Sequence, residues 1–131
     1  MTQSFAARRH DAGDGVAHLV VVGEIDTETS DVLVTLIASA AGRPGTVELV
    51  VDLTRVGFLD AAGVRALLRG ADTAARHGVG YRLANPGEAV RRVLEVAGAT
   101  QQVPVVELFP EAAPARGRPE ERAPFVVRPG G

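Results

Sequence analysis

The sequence predicts an α/β protein: a single domain with a mostly parallel central sheet, entered through an N-terminal antiparallel hairpin, and helices packed on the sheet in the order β-β-α-β-α-β-α-β. Three observations predict it. Apolar runs of strand type exchange with segments in which apolar residues fall at i, i+3, i+4 and i+7. Gly, Asn or Pro marks the changes of period. The length, 131 residues with 46% hydrophobic and 23% charged, suits one globular domain and not two.

The hairpin runs from Ser4 to Asp11, turns at Gly13-Asp14-Gly15 and returns over Val16 to Ile25. Leu19-Val20-Val21-Val22 is apolar on both faces, which places the second strand inside the sheet. From Thr29 the apolar residues are Leu33, Leu36, Ile37 and Ala40, a helical stripe that stops at Gly42 and Pro44, with Thr29 expected as its cap. Thr46 to Leu53 reads as strand, followed by a loop through Thr54-Arg55-Val56-Gly57-Phe58-Leu59. In the second helix Val64, Leu67, Leu68 and Ala71 form the apolar stripe, Arg65, Arg69, Asp72 and Arg76 line the other face, and Gly78 ends it. Tyr81 to Ala84 is a short strand. Asn85, Pro86 and Glu88 read as cap, first turn and N3 of a capping box for a third helix that buries Val90, Val93, Leu94 and Ala97 and closes at Gly98. Val105 to Leu108 is an edge strand, since Pro104 cannot donate to a ladder.

Composition then shifts. Six of the eight prolines lie from Pro104 onward, so the domain is expected to span residues 1–108 and residues 109–131 to form a Pro/Ala/Arg-rich disordered tail, with one apolar island at Phe125-Val126-Val127 that could still dock. The N-terminus has no stretch resembling a signal peptide, and the longest uncharged runs reach about eleven residues, so a cytoplasmic location and no membrane partner are expected.

The inventory excludes several chemistries. With no Cys there is no disulfide, thiolate nucleophile or Cys-zinc site. All fourteen basic residues are Arg, which removes the Walker lysine and Schiff-base chemistry. A net charge of −2 and 4% aromatics provide neither a basic field nor stacking platforms, so no nucleic acid is expected. His10, His18 and His77 lie on separate elements without metal-ligand spacing, and none is near a nucleophile, so no catalytic residue, metal or cofactor is expected. Asp52 ends a strand as a phosphoacceptor would, but the lysine that such chemistry uses is missing; anchoring the following segment by hydrogen bonds is its expected role.

Function in an open α/β sheet sits where strands hand over to helices. Glu24, Asp26 and Thr29 occupy the first such connection, where the acids either favour the positive end of the next helix or bind a partner. In the second, Asp60 is a natural N-cap, and Ala61, Ala62 and Gly63 open the helix although Gly costs about 1 kcal/mol there against Ala. Something is expected to approach that terminus closely: a partner, or the protein's own sheet.

Gly23-Glu24-Ile25-Asp26 with Thr29, Val50-Val51-Asp52-Leu53, Phe58-Leu59-Asp60 with Gly63, and Asn85-Pro86 with Val90, Val93 and Leu94 together resemble the STAS domain, particularly the stand-alone anti-sigma factor antagonists of bacteria, over roughly residues 5 to 108. The resemblance implies a small binding module without catalysis. Its partner would be an anti-sigma factor of the serine-kinase type, whose capture frees a sigma factor and so regulates transcription. Family members commonly carry Asp-Ser-Ser/Thr-Gly and are switched off by phosphorylation of the hydroxyl just before the Gly; here that position is Ala62, which has none. The expected module therefore binds without being switched at this position. The alternative is a scaffold or subunit of a larger STAS signalling assembly without sigma control. Either way the expected partner-binding residues are Glu24, Asp26, Thr29, Phe58, Asp60, Ala61, Ala62, Gly63 and Arg65.

Overall fold

The structure, a computed structural model, describes residues 5–110 and 125–127. The elements follow the order β1 (Phe5–Gly13), β2 (Val16–Ile25), α1 (Ser30–Ala41), β3 (Glu48–Leu59), α2 (Ala61–Arg76), β4 (Gly80–Ala84), α3 (Glu88–Val96), a 3-10 turn (Ala99–Gln101), β5 (Val105–Val106), β6 (Leu108–Pro110) and β7 (Phe125–Val127). Strands β1 to β5 form one sheet in sequence order; β1 and β2 are antiparallel and the remaining pairs parallel. This is the expected α/β architecture.

Alternation along the strands decides what each face covers. Leu19 and Val21 of β2, Leu49, Val51 and Leu53 of β3 and Leu83 of β4 share one core with Leu33 and Ile37 of α1, Val64 and Leu67 of α2, and Val90 and Leu94 of α3. All three helices thus pack on one face. On the other face Val50 and Ala84 meet Leu108 in a smaller cluster, while Val20 is half-buried and Val22 is exposed. The two-faced apolar pattern of β2 places it inside the sheet, as expected, but the second face is only partly covered.

Four local expectations are corrected. The strand expected to stop at Leu53 continues to Leu59, so residues 54–59 are not a loop. Between the pairs Val20–Asp52 and Val22–Arg55 β3 holds one residue more than β2, and it holds another between Val56 and Phe58. The mixed polarity of these bulges hides the strand. Buried Asp52 pins the first one: its Oδ1 accepts from the Thr54 N–H at 2.9 Å and from the Thr54 hydroxyl at 2.6 Å. That is the expected anchoring role, exercised within a strand.

Asn85 is not the cap of α3. It sits at φ +55°, and its side chain brackets Leu108, donating to the Leu108 carbonyl at 2.9 Å and accepting from its N–H at 2.7 Å; the N-cap is Gly87. Asn85 thus ties Leu108 to the end of β4. Ala97 is exposed and Val93 half-buried, because α3 ends at Val96 and only Val90 and Leu94 face inward; Gly98, at φ +78°, closes the helix as expected.

The last strand divides into β5, which pairs with β4, and β6, which pairs antiparallel with β7. The Phe125 island therefore finds a partner in residues 108–110. The remainder of the expected tail, residues 111–124 and 128–131, lies outside the described residues.

Candidate functional site

Two connections at the carboxyl ends of β2 and β3 meet. Glu24 pairs with Phe58 and Ile25 with Leu59, and the Asp60 N–H donates to the Ile25 carbonyl at 3.3 Å. The Glu24–Thr29 turn and the start of α2 are thereby adjacent. Of the expected partner-binding residues, the structure brings all nine to this one edge.

Within the first turn, Asp26 and not Thr29 receives the free amides. Asp26 Oδ1 accepts from Glu28 N–H at 2.9 Å and Thr29 N–H at 3.1 Å, and its carbonyl accepts from Ser30 N–H at 2.9 Å. Thr29 occupies the N-cap position of α1, but its side chain makes no capping bond. Its hydroxyl turns back, donating to the Glu24 carbonyl at 2.8 Å and accepting from Asp26 N–H at 3.0 Å. The expected Thr29 cap is corrected accordingly: Thr29 is buried and holds the turn, Asp26 is half-buried and committed to it, and Glu24 alone of the three has an exposed side chain.

At the second turn Asp60 behaves as expected. Its backbone is extended (φ −111°, ψ −169°), and its Oδ1 accepts from Gly63 N–H at 3.0 Å. Ala61 is exposed, Ala62 half-buried and Gly63 buried. The close approach anticipated at this terminus is the protein's own: a Cβ on Gly63 would meet the Ile25 carbonyl oxygen at 2.6 Å and Leu59 Cδ1 at 2.5 Å. Gly63 is thus explained by packing against β2 and β3, and it offers no surface of its own. Phe58, 47% exposed, and Arg65, exposed, flank the turn.

The structure adds α3 to this edge. A groove of about 310 Å³ runs between Ala61 and Val64 of α2 and Arg92, Val93, Val96 and Ala97. The apolar stripe of α3 marks only its buried side; Val96, an apolar residue off the stripe, is the sequence signal of the exposed one. Among the described residues no group of three or more His, Asp or Glu side chains is placed to hold a metal ion, and no helix is long and apolar enough to cross a membrane.

Known proteins share this fold. An anti-sigma factor antagonist from Mycobacterium paratuberculosis is 30% identical, with a TM-score of 0.66 over 78% of this chain and 85% of that one. The Bacillus anti-sigma factor antagonist SpoIIAA in its unphosphorylated form is 18% identical, with a TM-score of 0.65 over 85% and 90% of the two chains. The murine anion transporter Slc26a9 contains the fold as 15% of its chain, matching 70% of this one at 20% identity and a TM-score of 0.62. No curated protein sequence matches the chain. The sequence model of the STAS domain matches residues 10–113, and with most of its length so covered the chain belongs to the STAS domain family.

Proposed function

We propose that this protein is an anti-sigma factor antagonist, a binding module without catalysis that captures a serine-kinase-type anti-sigma factor and so regulates transcription. The observation that carries the reading is the bond from Asp60 N–H to the Ile25 carbonyl, which joins the Glu24 turn and the Asp60–Arg65 segment into one face. The relative of 30% identity, itself an anti-sigma factor antagonist, supports the same reading. Glu24, Phe58, Ala61, Ala62 and Arg65 are the contacting members. Asp26, Thr29, Asp60 and Gly63 shape the face through their own hydrogen bonds and packing.

Position 62 sets the regulation. A phosphate there would bring about −1.5 to −2 charges into the interface; the Ala62 methyl accepts none, so the face stays in the state that binds. Titration of the wild type and of Ala62→Asp against a serine-kinase anti-sigma factor tests this. A carboxylate desolvated at the interface should weaken binding at least tenfold, about 1.4 kcal/mol. An acid in the first turn of α2 suits the helix dipole, so the melting temperature should hold. Unchanged affinity would place the interface elsewhere. The occurrence of the fold within a longer transporter chain favours a second reading, a scaffold or subunit of a larger assembly, and absence of any binding by the wild type would favour it.

A further inference from the structure

The outer side of α3 carries a surface for which folding gives no reason. Val96 is 84% exposed, the most exposed of the large apolar side chains among the described residues. Two positions beyond Leu94, it is rotated by about 200° from the core-facing side of the helix. A β-branched residue there neither packs nor favours the helix, and a charged residue would serve solubility better. Val96 instead forms the rim of the groove described above, whose floor is Val64 and whose other wall is Ala61.

The charges around the groove are only partly paired. Arg91 reaches Glu107 at 3.7 Å and Arg69 reaches Asp31 at 3.8 Å. Arg65, one turn beyond Ala61, and Arg92, on the groove wall, have neither an ion pair nor a hydrogen bond among the described residues. Glu95, the next carboxylate along α3 from Arg92, makes no ion pair with it. An apolar slot with the unpaired Arg92 guanidinium on its wall, and with exposed Arg65 on the same helix as Ala61 and Val64, is complementary to an apolar side chain flanked by carboxylates.

We infer that the groove between α2 and α3 is the second half of the docking face and receives an acidic segment of the anti-sigma factor that inserts one apolar side chain against Val64, Val93 and Val96. This rests on the function proposed above and adds to it the chemistry of the partner. The helix-in-groove mode supplies the physics: apolar burial fixes the position, and the Arg65 and Arg92 charges steer the approach.

The test is a titration of the full chain against the same serine-kinase anti-sigma factor, with Val96→Asp and Arg92→Glu beside Ala62→Asp. Both α3 positions are exposed, so Arg92→Glu should melt close to the wild type, while Val96→Asp, an acid in the last turn of α3, opposes the helix dipole and should melt slightly earlier. Val96→Asp is expected to weaken binding at least tenfold. Arg92→Glu should weaken it mainly through slower association and should flatten its dependence on salt. Loss of binding in Ala62→Asp with wild-type affinity in both α3 variants would overturn the groove while leaving the proposed function standing. Failure of the wild type itself to bind would overturn both. Should Val96→Asp melt early, Arg92→Glu decides by the same criterion.

Discussion

The Cα of Gly63 and the carbonyl oxygen of Ile25 stand so close that a Cβ on Gly63 would lie 2.6 Å from that oxygen. The oxygen belongs to backbone that also accepts the Asp60 N–H, so it cannot swing aside without loosening the joint between the two turns. Gly63→Ala, a change that raises helix propensity, is therefore expected to destabilise the protein by about 1–3 kcal/mol. Chemical denaturation should show the loss. Stability equal to the wild type would mean that β2 and α2 can separate at no cost and that the face is not rigid.

The Asp52–Thr54 pair makes a similar reversal. Thr54 is exposed on β3, where Val is at least as good a strand residue, and on propensity alone Thr54→Val should be neutral. The Thr54 hydroxyl, however, is one of the two donors to a carboxylate that is only 2% exposed. Its removal is expected to cost about 1–3 kcal/mol, the penalty for leaving a buried acceptor short of a donor. A melting temperature unchanged by Thr54→Val would show that the bulge is held by other contacts.

What the sequence made legible followed the length of its signals. The order of elements, the helical stripes and Asp60 as cap could be read because several residues repeat one period or because one residue type does one job. The bulged half of β3 could not, since each extra residue shifts the alternation and Thr54-Arg55-Val56-Gly57 then loses its period. Asn85 is ambiguous in sequence because Asn before Pro fits a cap as well as it fits a left-handed turn, and only the return of Leu108 to that place in space decides between them. Thr29 and Asp26 exchanged roles for the same reason: either oxygen could reach the free amides, and the turn geometry chose Asp26. The nine residues expected to bind a partner come from two connections, and their convergence follows from the parallel pairing of β2 with β3. The groove against α3 depends on how two helices lie side by side, which no local pattern encodes.

His18 gives the protein a pH dependence with a definite sign. Burial holds its pKa below 6.5, and the neighbouring His10 adds to the effect; Arg82 acts in the same direction, while Asp52 and Glu48 oppose it. Folded His18 thus takes up a proton less readily than the unfolded chain does. Stability from this residue is complete above about pH 6.5 and declines as the pH falls toward the depressed value. The difference in melting temperature between pH 7.5 and pH 5.5 should therefore be smaller in His18→Gln than in the wild type. Parallel curves for the two proteins would show that His18 protonates in the fold without penalty.

Restoring a hydroxyl at position 62 should restore the switch. The position lies in the first turn of α2, next to exposed Ala61 and with its own methyl half-buried, so a serine fits without displacing packing. A phosphate added there would sit at the positive end of the helix and would be tolerated by the fold. Within the docking face it would oppose binding, because a dianion would have to be desolvated against the partner. Incubation of Ala62→Ser with a serine-kinase anti-sigma factor and Mg-ATP is expected to place one phosphate at position 62, to leave the melting temperature close to that of the unmodified variant, and to lower affinity for the kinase at least tenfold, about 1.4 kcal/mol. The wild type treated in the same way should carry no phosphate at that position. A variant that binds the kinase tightly but is never phosphorylated would show that position 62 does not reach the kinase's catalytic centre, and the assignment of Ala62 as the lost phosphoacceptor would have to be withdrawn.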